Sequence, residues 1–336
     1  MKIQKELKLN TQNIKPRVER EIQPFLHRLK KKNYVEGIVL LGGLARRNFL
    51  DEYSDVDIAL FYKTNTPKKY FLPFEFHINL NGKRYEFNIH QLIYEDGTTK
   101  EWDEGTKEAY LQCKVYFERD KKISKLIRLK TKFDSEGAYK RLIWIMEQYV
   151  WRGEIHSIRT CRRGYPEGSH DLLNECIDLL IEAIYILNKR FRPHKKWRIA
   201  MLTTMDVLPN NFFQDLRDAM YIKGFALKDV NKRIEALNKV YFEILKIVFQ
   251  LYPDFPKDPY IYYYKNFFQP NRDTFSQKIK AKYSGLLSKD ELEQLEGLLC
   301  FNLISNTKNI QKFFPKDKQK LYDNRKKPQN GIEYTK

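Results

Sequence analysis

Gly42-Gly43-Leu44-Ala45-Arg46 is followed shortly by Asp55-Val56-Asp57, and this is where the chain carries the residue types for metal and phosphate chemistry. Side chains alternate faces along a strand with period two, so Asp55 and Asp57 point the same way. Two carboxylates so placed can grip one Mg²⁺ from one side. Residues 35–41 (VEGIVLL) are an apolar run rich in branched side chains that stops at two glycines, the pattern of a buried strand ending in a turn. Gly42 and Gly43 let backbone approach a ligand closely. Residues 44–49 are placed to begin a helix whose N–H groups face a phosphate, with Arg46 and Arg47 as nearby cations. A metal grip beside a phosphate cradle is the chemistry of nucleoside triphosphates.

The surrounding elements must hold those groups. Residues 51–54 read as a turn and residues 55–62 (DVDIALFY) as a strand, with Val56, Ile58 and Leu60 alternating against Asp55, Asp57 and Ala59. Residues 78–94 read as a hairpin turning at Asn81-Gly82, and Glu86, Asn88 and His90 share one face of its second strand. A leading helix over 11–32 carries Val18, Ile22, Phe25 and Leu29 on one face. A helix is expected over 100–110 and a short strand over 114–117. From about Ser135 the pattern turns helical, over 137–160, over 170–191 and on both sides of Pro253, with apolar residues three and four apart. Residues 253–271 read as irregular and 316–336 as a polar, mobile basic tail. No internal repeat is visible.

Strand, GG-x-A-R, a loop, then SDVD opening a second strand resembles the signature of the nucleotidyltransferase superfamily that includes DNA polymerase beta, the antibiotic nucleotidyltransferases and the small MNT proteins. The likeness is specific in DEYSDVDIALF and looser before it. Family members usually carry Gly-Ser where this chain has Gly42-Gly43, and Arg47 stands where a third glycine is usual. The resemblance implies an α+β chain: a polymerase-beta-like core of mixed sheet and helices over 1–130, then a helical domain over 131–315 that closes over the nucleotide. It implies transfer of a nucleoside monophosphate from an NTP to an acceptor hydroxyl with release of pyrophosphate, using two Mg²⁺ ions, with Mn²⁺ as the alternative metal. Asp55 and Asp57 would hold metal. Glu86, flanked by Tyr85 and Phe87, fits the family's third acid and would complete the metal site or act as base. Gly42, Gly43, Arg46 and Ser54 would cradle the triphosphate. Residues 187–197 (LNKRFRPHKKW) resemble an L-N-x-x-Y-x-P-x-x-K-W segment of some nucleotidyltransferase-domain proteins, by which Lys196 would reach the β- or γ-phosphate. The bland alternative has Trp197 plugging a core and Lys196 merely solvated.

Composition sets limits. With 336 residues, 42% hydrophobic and 14% aromatic, the chain is long enough for two domains with a sizeable core. No stretch approaches 18 uninterrupted apolar residues and the first ten residues lack a signal-peptide core, so a cytoplasmic protein without membrane segments is expected. Cys113, Cys161, Cys176 and Cys300 are scattered, with no zinc spacing. The net charge of +19 is either lysine-rich solvation or the mark of a polyanionic partner. Basic clusters lie at 28–32, 159–163, 189–198 and 308–327, and they disfavour a polycationic antibiotic as acceptor. RNA or a nucleotide is therefore the expected acceptor, including synthesis of short signalling oligonucleotides, in a toxin–antitoxin or defence setting. The alternatives are a small-molecule or protein nucleotidyltransferase, or a non-catalytic nucleotide- or RNA-binding relative. Arg163 and His170 stand at a spacing similar to the HEPN ribonuclease motif, but Gly164, Pro166 and Gly168 argue against the helix that motif requires.

Overall fold

Branched apolar residues on both faces of 35–40 and 56–62 build the two central strands of a mixed sheet. In this computed structural model, which describes residues 7, 9–46 and 49–263, the elements in chain order are α1 (Lys15–Lys30), β1 (Val35–Leu40), α2 (Gly42–Ala45), β2 (Val56–Tyr62), β3 (Glu75–Leu80), β4 (Lys83–Ile93), α3 (Tyr94–Thr99), α4 (Glu104–Leu111), β5 (Lys114–Glu118) and α5 (Lys122–Lys130). There follow α6 (Ser135–Tyr149), α7 (Ser157–Arg162), α8 (Pro166–Leu187), α9 (Lys195–Leu202), α10 (Phe212–Met220), α11 (Leu227–Leu251) and α12 (Pro259–Tyr263). The basic cluster at 308–327, the tail at 316–336, Cys300, Arg47 and residues 264–271 of the segment read as irregular lie outside the described residues.

The protein is α+β, a mixed five-strand sheet with helices followed by a helical region. The strand order is β3-β4-β2-β1-β5. The β2–β4 pair is parallel and the other neighbours are antiparallel. One face of the sheet packs on α1 through Val18, Ile22, Leu26 and Leu29, spaced by three and four as a helix stripe requires. The other face packs Val39, Ala59 and Phe61 against Trp102, Tyr110, Ile123, Leu126 and Ile127. The expected hairpin forms with Asn81 at φ 50° and Gly82 at φ 77°, the positive pair that matches strand twist in a two-residue turn.

The chain divides into two units, one of residues 1–136 with 184–207, the other of 137–183 with 208–336. The second passage of chain, from the end of α8 through α9, thus belongs with the sheet. In the other unit, α11 buries Val230, Ile234, Leu237, Tyr241, Ile244 and Val248 along one stripe, and Tyr149 stacks on Tyr241 with centroids 4.3 Å apart. The helix expected over 137–160 is three consecutive pieces, α6, a π-helical turn over Val150–His156, and α7.

Two expectations are corrected. The helix after the glycines is a single turn at Gly42–Ala45, since Arg46 leaves it with extended backbone (φ −84°, ψ 151°). Two helices, α3 and α5, fall in segments to which the sequence pattern assigned no element. Pro166 and Gly168 do not prevent a helix, since α8 begins at Pro166 and runs through Gly168 and His170, and proline is tolerated in the first helical turn because its missing N–H has no partner there anyway. The expected break between Arg163 and His170 falls at 163–165, where Gly164 has φ 91°. Among the described residues no helix is long and apolar enough to cross a membrane.

Candidate active site

The carboxylate pair sits where β2 leaves the loop after α2. Asp57 pairs with Asn88 across the parallel β2–β4 ladder, and both acids lie on the sheet face that carries Ala59 and Phe61. The Asn88 side-chain amide donates to Asp55 Oδ2 at 2.8 Å and also hydrogen bonds to Asp57. Even so, burial, with the Asp55 carboxylate beside it, pushes Asp57 up to about 6; Lys196 and Asn88 oppose the rise and Glu86 adds to it. Desolvation and like charge both favour the neutral acid. His90 Nε2 lies 4.0 Å from Asp57 Oδ1, and burial pushes that imidazole down.

Gly42 faces this pair. Its φ is +49°, and a Cβ placed there would meet Asp57 Oδ2 at 2.2 Å, so only glycine leaves the space beside that oxygen open. Gly43 is fixed differently. A Cβ on it would lie 2.6 Å from the Phe49 carbonyl and 2.7 Å from Leu50 Cδ1, which explains why this chain lacks the serine usual there in the resembling family. Leu41 N–H donates to the Asp57 carbonyl at 3.0 Å, tying the turn to β2.

Arg46 does not face the carboxylates as a free cation. Its guanidinium donates to both oxygens of Glu108 at 2.6 and 2.7 Å and lies 5.0 Å from the Phe49 ring centroid. Ser54 Oγ donates to Asp51 Oδ1 at 2.7 Å and accepts from the Asp51 N–H. Thr11 donates to the other Asp51 oxygen at 2.6 Å. Burial works to raise the Asp51 pKa, but the hydrogen bonds from Thr11, Ser54 and backbone N–H groups hold it below the usual value. Ser54 and Asp51 thus set the shape of the loop. Glu86 is exposed on β4, its Oε2 3.9 Å from His77 Nε2. Among the described residues no group of three or more His, Cys, Asp or Glu side chains gathers as a metal cluster.

Lys196, exposed in the first turn of α9, is near enough to favour the Asp57 carboxylate electrostatically. Its neighbour Trp197 packs on Phe49 with centroids 4.7 Å apart, and Arg192 donates to Glu104 Oε2 at 2.6 Å. These contacts hold the segment 187–197 to the sheet unit. Sequence reasoning left Asn88 without a role and did not find Glu108, whose partner is 62 residues away.

His170, the residue at the HEPN-like spacing, is buried and fully committed. Arg233 can only donate, so it fixes His170 Nδ1 as acceptor at 2.9 Å and leaves Nε2–H to donate to the Gly224 carbonyl at 3.0 Å. Both ring nitrogens thus have partners inside the protein.

No family model matches this chain, and no curated protein matches it. Among solved structures the chain is similar to a nucleotidyltransferase-like protein from Exiguobacterium sibiricum, at 11% identity and a TM-score of 0.40, over 70% of this chain and 80% of that one.

Proposed function

We propose that this chain is a Mg²⁺-dependent nucleotidyltransferase that moves a nucleoside monophosphate from an NTP to an acceptor hydroxyl, the acceptor being RNA or a nucleotide. The observation that carries the reading is the Asp55–Asp57 pair beside Gly42, where a side chain would fill the space at Asp57 Oδ2. The donor set fits the metal: Mg²⁺ takes one or two carboxylates and completes its shell with water and phosphate oxygens, so a gathered third acid is not needed to seat it. When bound, Mg²⁺ supplies charge neutralisation at the triphosphate.

The chain's own residues do the rest. Asp55 and Asp57 would hold the metal, with Asn88 fixing the Asp55 carboxylate in place. Gly42 and Gly43 let the phosphates approach the backbone of the turn, which the Arg46–Glu108 pair and the Ser54–Asp51 bonds keep in shape. In the reaction an acceptor oxygen bonds to the α-phosphorus, the bond from that phosphorus to the pyrophosphate oxygen breaks, and the hydroxyl proton is taken by a base. Glu86, on the β4 face beside Asn88, is assigned that proton, and Lys196 the charge of the departing pyrophosphate. Positioning and electrostatics supply the acceleration in such transfers.

The test is incubation with each α-phosphate-labelled NTP, Mg²⁺ and cell extract, followed by separation of RNA, oligonucleotides, small molecules and protein. Label should enter RNA or a nucleotide with release of pyrophosphate. Asp55→Asn and Asp57→Asn should each cut transfer about a thousandfold or more, because metal-borne charge stabilisation is worth several kcal/mol. Transfer at the wild-type rate in both variants would remove the pair from the site.

A further inference from the structure

The unit made of 137–183 and 208–336 carries an exposed aromatic surface that its own core does not use. Tyr165, in the turn between α7 and α8, is 67% exposed; in the segment after α10, Tyr221 is 67% and Phe225 55% exposed, with Met220 and Ile222 beside them. Five large apolar side chains in two short segments are costly to leave in water, and such a patch marks an interaction site.

This surface is held, not frayed. Arg233, 1% exposed, donates to the Ala219 carbonyl at 2.6 Å at one end of the segment. His170, fixed by the same guanidinium, donates to the Gly224 carbonyl at the other. Phe225 packs edge-on against the His170 ring at 5.3 Å, and Asp229 accepts from the Ala226 N–H at 3.2 Å. Tyr165 precedes His170 by five residues, about 7.5 Å of helical rise, so both segments stand at the same end of α8. Preorganised rings lose little freedom when a ligand stacks on them.

The cations beside these rings choose the occupant. Arg162, Arg163 and Lys223 are exposed, and among the described residues none of the three has an ion-pair partner. Flat rings interleaved with unpaired cations match a strand of unstacked bases and phosphates, and the chain's net charge of +19 favours the same polyanion. We propose that the α7–α8 turn and the segment 220–225 form a binding face for single-stranded nucleic acid, with bases stacked on Tyr165, Tyr221 and Phe225 and phosphates paired with Arg162, Arg163 and Lys223. The inference deepens the functional reading by placing an acceptor strand, but it is measured without NTP or metal, so the two fail separately.

The experiment is fluorescence anisotropy of the full-length chain, in EDTA, with a fluorescein-labelled oligouridylate twelve nucleotides long and with a blunt RNA duplex of the same length. The single strand should bind roughly tenfold or more tightly than the duplex, because only unpaired bases can stack. Tyr221→Ala with Phe225→Ala should weaken binding roughly tenfold or more, since each stacked base is worth that much. Tyr165→Ala alone should weaken it in the same direction. Arg162→Ala with Arg163→Ala should flatten the slope of log affinity against log salt by about 1.4, at about 0.7 per phosphate contact. All these side chains are exposed, so the variants should keep the wild-type circular dichroism and melting temperature. Equal affinity for duplex, or wild-type affinity in the aromatic variants, overturns the proposal. So does loss of a dimer in light scattering with oligouridylate binding unchanged, which would assign the rings to a second copy of this chain.

Discussion

At Gly43 a single absent methylene decides what the turn can be. Serine there is usual in the resembling family, yet its Cβ would press on the Phe49 carbonyl and Leu50 at 2.6 and 2.7 Å. Gly43→Ser should therefore destabilise the sheet unit by about 1–3 kcal/mol, the ordinary cost of overpacking, and should lower NTP binding with it; denaturant unfolding and nucleotide titration check both. A variant of unchanged stability that binds NTP more tightly would show that the loop yields. The carboxylate pair itself was legible in the sequence, because period two on a strand is a local rule and Asp55 and Asp57 obey it. The residues that tune the pair were not. Asn88 is 33 residues from Asp55 and Glu108 is 62 from Arg46, and nothing local in either segment announces its partner. Arg46, beside the glycine turn, carries no local sign of the acid that pairs with it. Glu108→Ala should accordingly cost about 3–5 kcal/mol by leaving the Arg46 guanidinium half-buried and unpaired, which urea unfolding would measure.

Among elements, the strands and hairpin followed their sequence patterns closely, since alternation and Asn-Gly are short-range signals. The helical stretch 137–160 did not, because the π-helical turn over Val150–His156 is a local widening inside an otherwise helical run, with no residue pattern of its own to announce it. In that turn Glu154 is buried, hydrogen bonded with Asn238, and its Oε1 has no partner. Burial pushes it from 4.5 to about 7. The unfolded chain ionises Glu154 near 4.5 while the folded chain keeps its proton, so this residue's contribution to stability is complete below that pH. It is lost as pH rises to about 7 and is flat above. The loss amounts to about 3 kcal/mol at most. Glu154→Gln should remove this slope, so that thermal melts from pH 4 to 8 separate the variant from the wild type increasingly toward pH 7, with the variant higher. Parallel curves would mean that Glu154 is solvated in the native state.

For the whole molecule, the two units are interleaved along the chain. The sheet unit takes residues 1–136 and then 184–207, and the second piece brings Trp197 to Phe49 and Arg192 to Glu104. A fragment ending at residue 136 should therefore show no cooperative near-UV transition on heating, where the full chain shows one; a sharp transition in the fragment would make the α9 segment dispensable. The sequence could place the helical half but not this return, because a helix pattern does not say which core it joins. The interleaving matters while the protein is being made. At about 5–20 residues per second a ribosome needs roughly 4–14 seconds to pass from residue 136 to residue 207. Through that interval the nascent sheet waits for its last helix with Phe49 uncovered, which makes it a target for chaperones that capture unfinished apolar surfaces before synthesis ends.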